Sequence, residues 1–360
     1  MKISTILTVY ILLGLVLMPD LCMGSAIKGI NLCLSVVVPS LFPFFICSKI
    51  LVKNGFAKRV SKPLNFFMRP VFNVPGCGAF AFVMGLLSGC PVGAKTVTDM
   101  YYDKMCTKAE AQRMLCFCNN SGPLFIMGSV AIGMLGFKEI GGILYISHVI
   151  SAVIIGIVMG FYKRRESIKS FPVKVEKKET DIFSKSVSES VALTGYVCGF
   201  VVFFAVAVEL LKQSGVVDII TYGIKNKNLI AGLLYGMCEM TNGISLLSGL
   251  RITPPLLSAI SFVVGFGGLS IIMQVYGIIK KYNFSIAIFC FAKFFQGLIS
   301  SFITYVLVSY SNISLPVFAE ETKFGIFNHW AFFINIFTVF GIIIFFLSIL
   351  YIICKILRRM

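Results

Sequence analysis

The chain alternates between long apolar blocks and short basic stretches. Ile3–Met18, Ile143–Tyr162, Val191–Leu211, Phe284–Val308 and Ala331–Cys354 are runs of almost uninterrupted hydrophobic residues. About 17–25 such residues at 1.5 Å each match a hydrocarbon core of roughly 30 Å. The pattern therefore predicts a polytopic, all-α membrane protein. Four segments break it with small or polar residues: Ser88-Gly89-Cys90-Pro91-Val92-Gly93, Asn119-Asn120-Ser121-Gly122-Pro123, Glu239-Met240-Thr241-Asn242-Gly243 and Gly265-Phe266-Gly267-Gly268. Glycine and proline interrupt helices, and broken backbone at membrane depth is tolerated only where protein covers it or it lines a cavity.

Charge placement decides the topology. Lys53, Lys58, Arg59, Lys62 and Arg69 form one basic cluster, and Lys104, Lys108 and Arg113 a second. Lys163-Arg164-Arg165, Lys280-Lys281 and the terminal Lys355, Arg358 and Arg359 follow. The positive-inside bias wants all of them in the cytoplasm. A single crossing by Gly76–Asp103 would put the first two clusters on opposite faces. A re-entrant hairpin with its tip at Ser88–Gly93 keeps them together. Leu229–Leu250, broken at Glu239–Gly243, reads as a second hairpin from the other side. The expected total is about eight spanning helices plus two hairpins, with both termini cytoplasmic. Ile3–Met18 is expected to be an uncleaved first helix, since Cys22–Ala26 makes a poor signal-peptide cleavage site.

The halves share an order of helix, hairpin, broken helix, helix. Phe44-Phe45…Leu51-Val52-Lys53-Asn54-Gly55 resembles Phe203-Phe204…Leu211-Lys212-Gln213-Ser214-Gly215. With three net crossings per unit, the second copy would be inverted, as in secondary transporters with discontinuous helices near the midplane.

Composition removes other function classes. Of 360 residues, 58% are hydrophobic and 13% charged, against about 25% charged in a soluble domain. The net charge of +17 sits at segment ends and loops rather than in an aromatic-interleaved stripe, which argues against nucleic acid. The 12 cysteines are scattered without metal-ligand spacing and read as reduced packing residues. No nucleophile elbow, phosphate loop or His-Glu metal motif is present. We therefore expect a non-enzyme without cofactor or metal.

The breaks supply the candidate chemistry. Half-helix N termini attract anions, and freed carbonyls attract cations. Lys95, just past the first tip, is a candidate anion ligand or a snorkelling lysine. Glu239 is a candidate site for a coupling proton or Na⁺, or a structural ion-pair partner of Lys95. Asn119, Asn120 and Ser121 offer donors and acceptors to a solute, or hydrogen bonds between helices. Gly267 and Gly268 open the backbone or allow close packing, and Gln274 is a weaker candidate. His148 and His329 receive no role.

Val38-Pro39-Ser40-Leu41-Phe42-Pro43-Phe44-Phe45, Met68–Gly76, Gly85–Lys95 and Asn119–Phe125 resemble the sporulation integral membrane protein YlbJ (SpoVV) family. That family is grouped with nucleoside-recognition gate-domain proteins, which resemble concentrative nucleoside transporters. The resemblance implies export of dipicolinic acid from the mother cell across the outer forespore membrane. It carries over Ser88, Gly89, Pro91, Gly93, Lys95, Asn119, Ser121, Gly122 and Pro123; Cys90 stands where an aromatic residue is expected. With it the expected organisation is an N-terminal helix (1–25), a first gate repeat (26–162), a basic cytoplasmic linker (163–188), a second gate repeat (189–310) and an outside loop with a C-terminal helix (311–360). The candidate substrate site then comprises Ser88, Gly89, Cys90, Pro91, Gly93, Lys95, Asn119, Asn120, Ser121, Gly122, Thr241, Asn242, Gly267 and Gly268, with Glu239 for the coupling ion. Open alternatives are a transporter of a nucleoside-like solute and a non-transporting assembly or signalling component of sporulation.

Overall fold

The structure is a computed structural model that describes residues 3–164 and 181–311. Its described elements are all helical. The first part contains α1 (Ile3–Leu17), α2 (Pro19–Leu32), α3 (Val38–Lys53), α4 (Phe56–Phe72), α5 (Cys77–Ser88), α6 (Val92–Tyr102), α7 (Lys108–Cys118), a π-helical segment (Leu124–Met134) and α8 (Glu139–Met159). The second contains α9 (Ile182–Gln213), α10 (Val216–Ile220), α11 (Lys227–Cys238), α12 (Met240–Ser248), α13 (Pro254–Phe266), α14 (Gly268–Ile279) and α15 (Ile286–Tyr310).

Four of these are long and apolar enough to cross a membrane: α8, α9, α13 with α14 taken as one span, and α15. Two bent pairs raise the number to six, with bends of 109° between α1 and α2 and 80° between α4 and α5. The described residues thus give four to six spans rather than the eight expected. The expected C-terminal helix and the loop bearing Glu320 and Glu321 lie outside the described residues. The first apolar block ends where expected, but Pro19 starts α2 at once, so α1 is one limb of a bent pair.

Local chemistry sets the boundaries. Asn73 and Asn283 take left-handed conformations at the ends of α4 and of the turn after α14. Thr107 and Glu110 form a reciprocal capping box that starts α7. Gly267 and Gly268 are both left-handed, which breaks the α13–α14 span.

The two interrupted segments fold back on themselves. Cys77, at the start of α5, has its thiol on the carbonyl of Met105 beyond the end of α6. The arms of the first hairpin therefore begin and end together. Gly85 and Gly93 face the Cys118 carbonyl so closely that a Cβ on either would collide with it. In the second hairpin, α11 and α12 meet at Gly236 and Gly243, where a Cβ on Gly243 would collide with the opposing backbone.

Described members of four basic clusters gather at one end of this bundle. Arg69 pairs with Glu110. Buried Arg113 donates to the carbonyls of Asn73, Tyr162 and Lys163, at 2.6–2.8 Å. Tyr101 packs edge-on against Tyr282 and Phe284, and the Gln112 amide exchanges hydrogen bonds with the backbone of Ser285. Residues 69, 104–113, 162–163 and 280–285 therefore share one end.

Candidate functional site

The four breaks converge. The first tip meets the third break at Gly89 and Gly122: a Cβ on Gly122 would lie 3.2 Å from the Gly89 nitrogen. The second tip meets the fourth, where a Cβ on Gly268 would lie 3.0 Å from the Gly236 carbonyl and 3.2 Å from the Met240 nitrogen. Ser121 joins the two pairs, its hydroxyl 3.9 Å from the Met240 sulfur and 3.4 Å from the Val264 carbonyl.

Between them lies a cavity of about 130 Å³. Its polar wall consists of Ser88, Gly89, Cys90, Ser121, Gly122, Glu239, Thr241, Ser270 and Gln274. Leu41, Phe44, Phe125, Val197, Met240 and Ile271 are among its apolar lining. The Ser88 hydroxyl is buried without a hydrogen-bond partner, a deficit of about 1–3 kcal/mol that a bound group would relieve. Two half-helices, α6 and α14, start beside the cavity with no side chain capping their N termini.

Glu239 is 7% exposed and sits at the N terminus of α12. Its carboxylate accepts from the backbone N–H groups of Thr241 and Asn242, at 3.1 and 2.8 Å, and from the Asn242 amide at 2.9 Å. It therefore caps α12 and faces the cavity at once. Among the described residues no cation pairs with it.

Several expected ligands lie elsewhere. The Lys95 ammonium pairs with Asp99 one turn along α6, both side chains stay about one-quarter exposed, and Lys95 is not among the residues of the cavity wall. The hairpin carries it away from the tip toward the basic end, where Lys49 pairs with Glu189 and the Ser48 hydroxyl bonds Thr96. Pro91 and Gly93 serve the turn and the seam against Cys118. Asn242 completes the Glu239 cap, and Gly267 and Gly268 make the fourth break. None of these five lines the cavity.

Asn119 and Asn120 lie behind the wall rather than in it. The Asn119 amide reaches the Cys90 sulfur at 3.2 Å, and the Cys90 thiol donates to the Asn120 carbonyl at 3.0 Å. Lys293, on α15, donates to the Asn119 carbonyl and to Gln296, and Gln296 in turn donates to the Asn120 side chain. His148 lies in the middle of α8, and its Nε2 accepts the Ser121 N–H at 3.1 Å. Sequence reasoning passed over Lys293, Gln296 and the role of His148. A lysine and a glutamine three residues apart inside the apolar block Phe284–Val308 were the available signal.

Residues 34–161 match the family model Gate, described as nucleoside recognition. The sporulation integral membrane protein YlbJ of Bacillus subtilis (strain 168) is 33% identical over 310 residues, covering 78% of this chain and 76% of the relative. The chain belongs to the YlbJ family. No solved structure matches it. Family membership places this YlbJ-family chain among sporulation-associated gate-domain membrane proteins, consistent with a transport role and not with an enzyme. The gate match spans α3 to α8 and so covers the first hairpin and the third break.

Proposed function

We propose that this YlbJ-family protein is a secondary transporter or facilitator of a small carboxylate, dipicolinate, which it exports from the mother cell across the outer forespore membrane. The observation that carries the proposal is the cavity on which both hairpin tips and both broken helices converge. A structural bundle has no need of four helix breaks at one place, whereas a site that must form and dissolve does. The N termini of α6 and α14, which no side chain caps, suit carboxylates, Ser88 and Thr241 offer hydroxyl donors, and Phe44 and Phe125 suit a planar ring. The relative's association with sporulation supports this choice of solute.

In this proposal the chain holds two gate repeats of opposite orientation, and the end gathering residues 69, 104–113, 162–163 and 280–285 is cytoplasmic. Glu239, which no cation pairs with among the described residues, takes the coupling proton or Na⁺. The description of the matched gate model favours one second reading, a nucleoside-like solute. Uptake of radiolabelled dipicolinate into proteoliposomes containing the purified full chain, with uridine as competitor, separates the two. Uptake above empty liposomes that uridine does not inhibit supports the proposal; uridine uptake without dipicolinate uptake refutes it.

A further inference from the structure

Among the described residues, the cavity wall carries one formal charge, that of Glu239. Glu239 is engaged by three N–H donors of α12, so its charge is largely offset by that helix N terminus. No described residue of the wall supplies the positive charge that an anion site needs.

It stands one layer behind. Lys293 is 1% exposed on α15. Its ammonium donates to the Asn119 carbonyl at 2.8 Å and to Gln296 Oε1 at 2.6 Å. Both acceptors are neutral, and no carboxylate pairs with this lysine among the described residues. Cys90, Cys116 and His148 are its other polar neighbours in electrostatic range. The freed carbonyl end of α7, at Asn119, offsets part of the charge, as a cation at a helix C terminus does. Much of it remains uncompensated in a region where burial of a charge is costly.

That charge is connected to the cavity through Asn119 directly and through Gln296 and Asn120. Asn119, whose carbonyl Lys293 holds, touches Cys90 through its amide, and Cys90, Ser121 and Gly122 are wall residues. The Asn119 side-chain oxygen is itself buried without a partner, so the polar capacity of this layer is not saturated from within. A hydrogen bond to one carbonyl could be made by a neutral amide. Keeping an ammonium there makes sense if the field is what matters.

We propose that Lys293 is the specificity-determining charge of the cavity: from behind the Asn119–Gly122 break it favours anionic over neutral solutes without touching them. This rests on the cavity being the carboxylate site, and it moves the anion-selecting role from Lys95 to Lys293.

The test compares dipicolinate with its neutral isostere, pyridine-2,6-dicarboxamide, binding to purified full-chain protein in detergent, measured by calorimetry. Wild type should prefer the dianion. Lys293→Gln keeps a neutral donor for Asn119, and Lys293→Met keeps length with apolar packing. Each should lose at least tenfold in dipicolinate affinity, about 1.4 kcal/mol, with diamide affinity unchanged; Lys293→Arg should keep the preference. Equal loss of both ligands, or a wild-type preference in folded Lys293→Gln, overturns the inference. So does failure of both neutral variants to fold while Lys293→Arg folds, which would make the charge structural. If wild type binds neither ligand, the carboxylate reading of the cavity falls first, and this inference with it.

Discussion

Gly265 tests whether the seam behind the site is as tight as the structure shows. A Cβ at this position would stand 2.7 Å from the Gly297 Cα and 3.0 Å from its nitrogen, all unyielding backbone. Restoring ordinary contact at 3.4 Å requires α13 and α15 to separate by about 0.7 Å. A gap of that order forfeits about a quarter to a half of each dispersion well along the seam. It also stretches three hydroxyl contacts that now measure 2.7–2.8 Å, Ser258–Ser301, Ser261–Ser300 and Thr304–Ser261, to the limit of hydrogen bonding. At about 0.6 kcal/mol per membrane hydrogen bond these sum to about 2 kcal/mol. Overpacking adds about 1–3 kcal/mol, and the better helix propensity of alanine returns about 1. Gly265→Ala should therefore destabilise by about 2–4 kcal/mol and lower the midpoint of thermal unfolding in detergent by about 3–5 °C. Gly195→Ala is the control: its Cβ would meet nothing within 4 Å, so the midpoint should hold or rise. A Gly265→Ala protein that melts at or above wild type would refute the close approach of α13 to α15.

Three further outcomes are expected. Arg113→Met leaves three main-chain carbonyls at the basic end without their donor, at about 1–3 kcal/mol each, and should lower the unfolding midpoint more than Gly265→Ala does; an unchanged midpoint would show that these bonds hold nothing together. Glu239→Gln removes the charge that caps α12, and it should cost about 1–2 kcal/mol of stability and abolish the pH dependence of dipicolinate uptake; a protein with normal pH dependence would reduce Glu239 to a helix cap. In a cysteine-free variant, single cysteines at Lys62, Lys104 and Lys281 should react with an impermeant maleimide from one side and one at Tyr222 from the other; labelling of Lys62 and Lys104 on opposite sides would rule out the return of the first hairpin.

Much of this protein was legible in the order of its residues. Apolar length dictated helices, because a buried backbone must satisfy its hydrogen bonds within the segment. Glycine, proline and asparagine marked all four breaks, since propensity acts locally. The basic clusters implied that Gly76–Asp103 must turn back, and the contacts of Cys77 with Met105 and Arg113 with Lys163 follow that pattern. Ser88, Gly89, Cys90, Ser121, Gly122, Thr241 and Glu239 were named from the breaks and line the cavity. Whether Lys95 faced the tip was beyond the sequence: helical phase and the nearby Asp99 decided it, and the ammonium took the carboxylate within reach. Lys293 belongs to a helix almost 200 residues further on, and only the packing of α15 against α13, α7 and α8 brought it behind Asn119. Local patterns determine where a helix breaks; which distant charge stands behind the break depends on long-range packing, and that exists only in the folded chain.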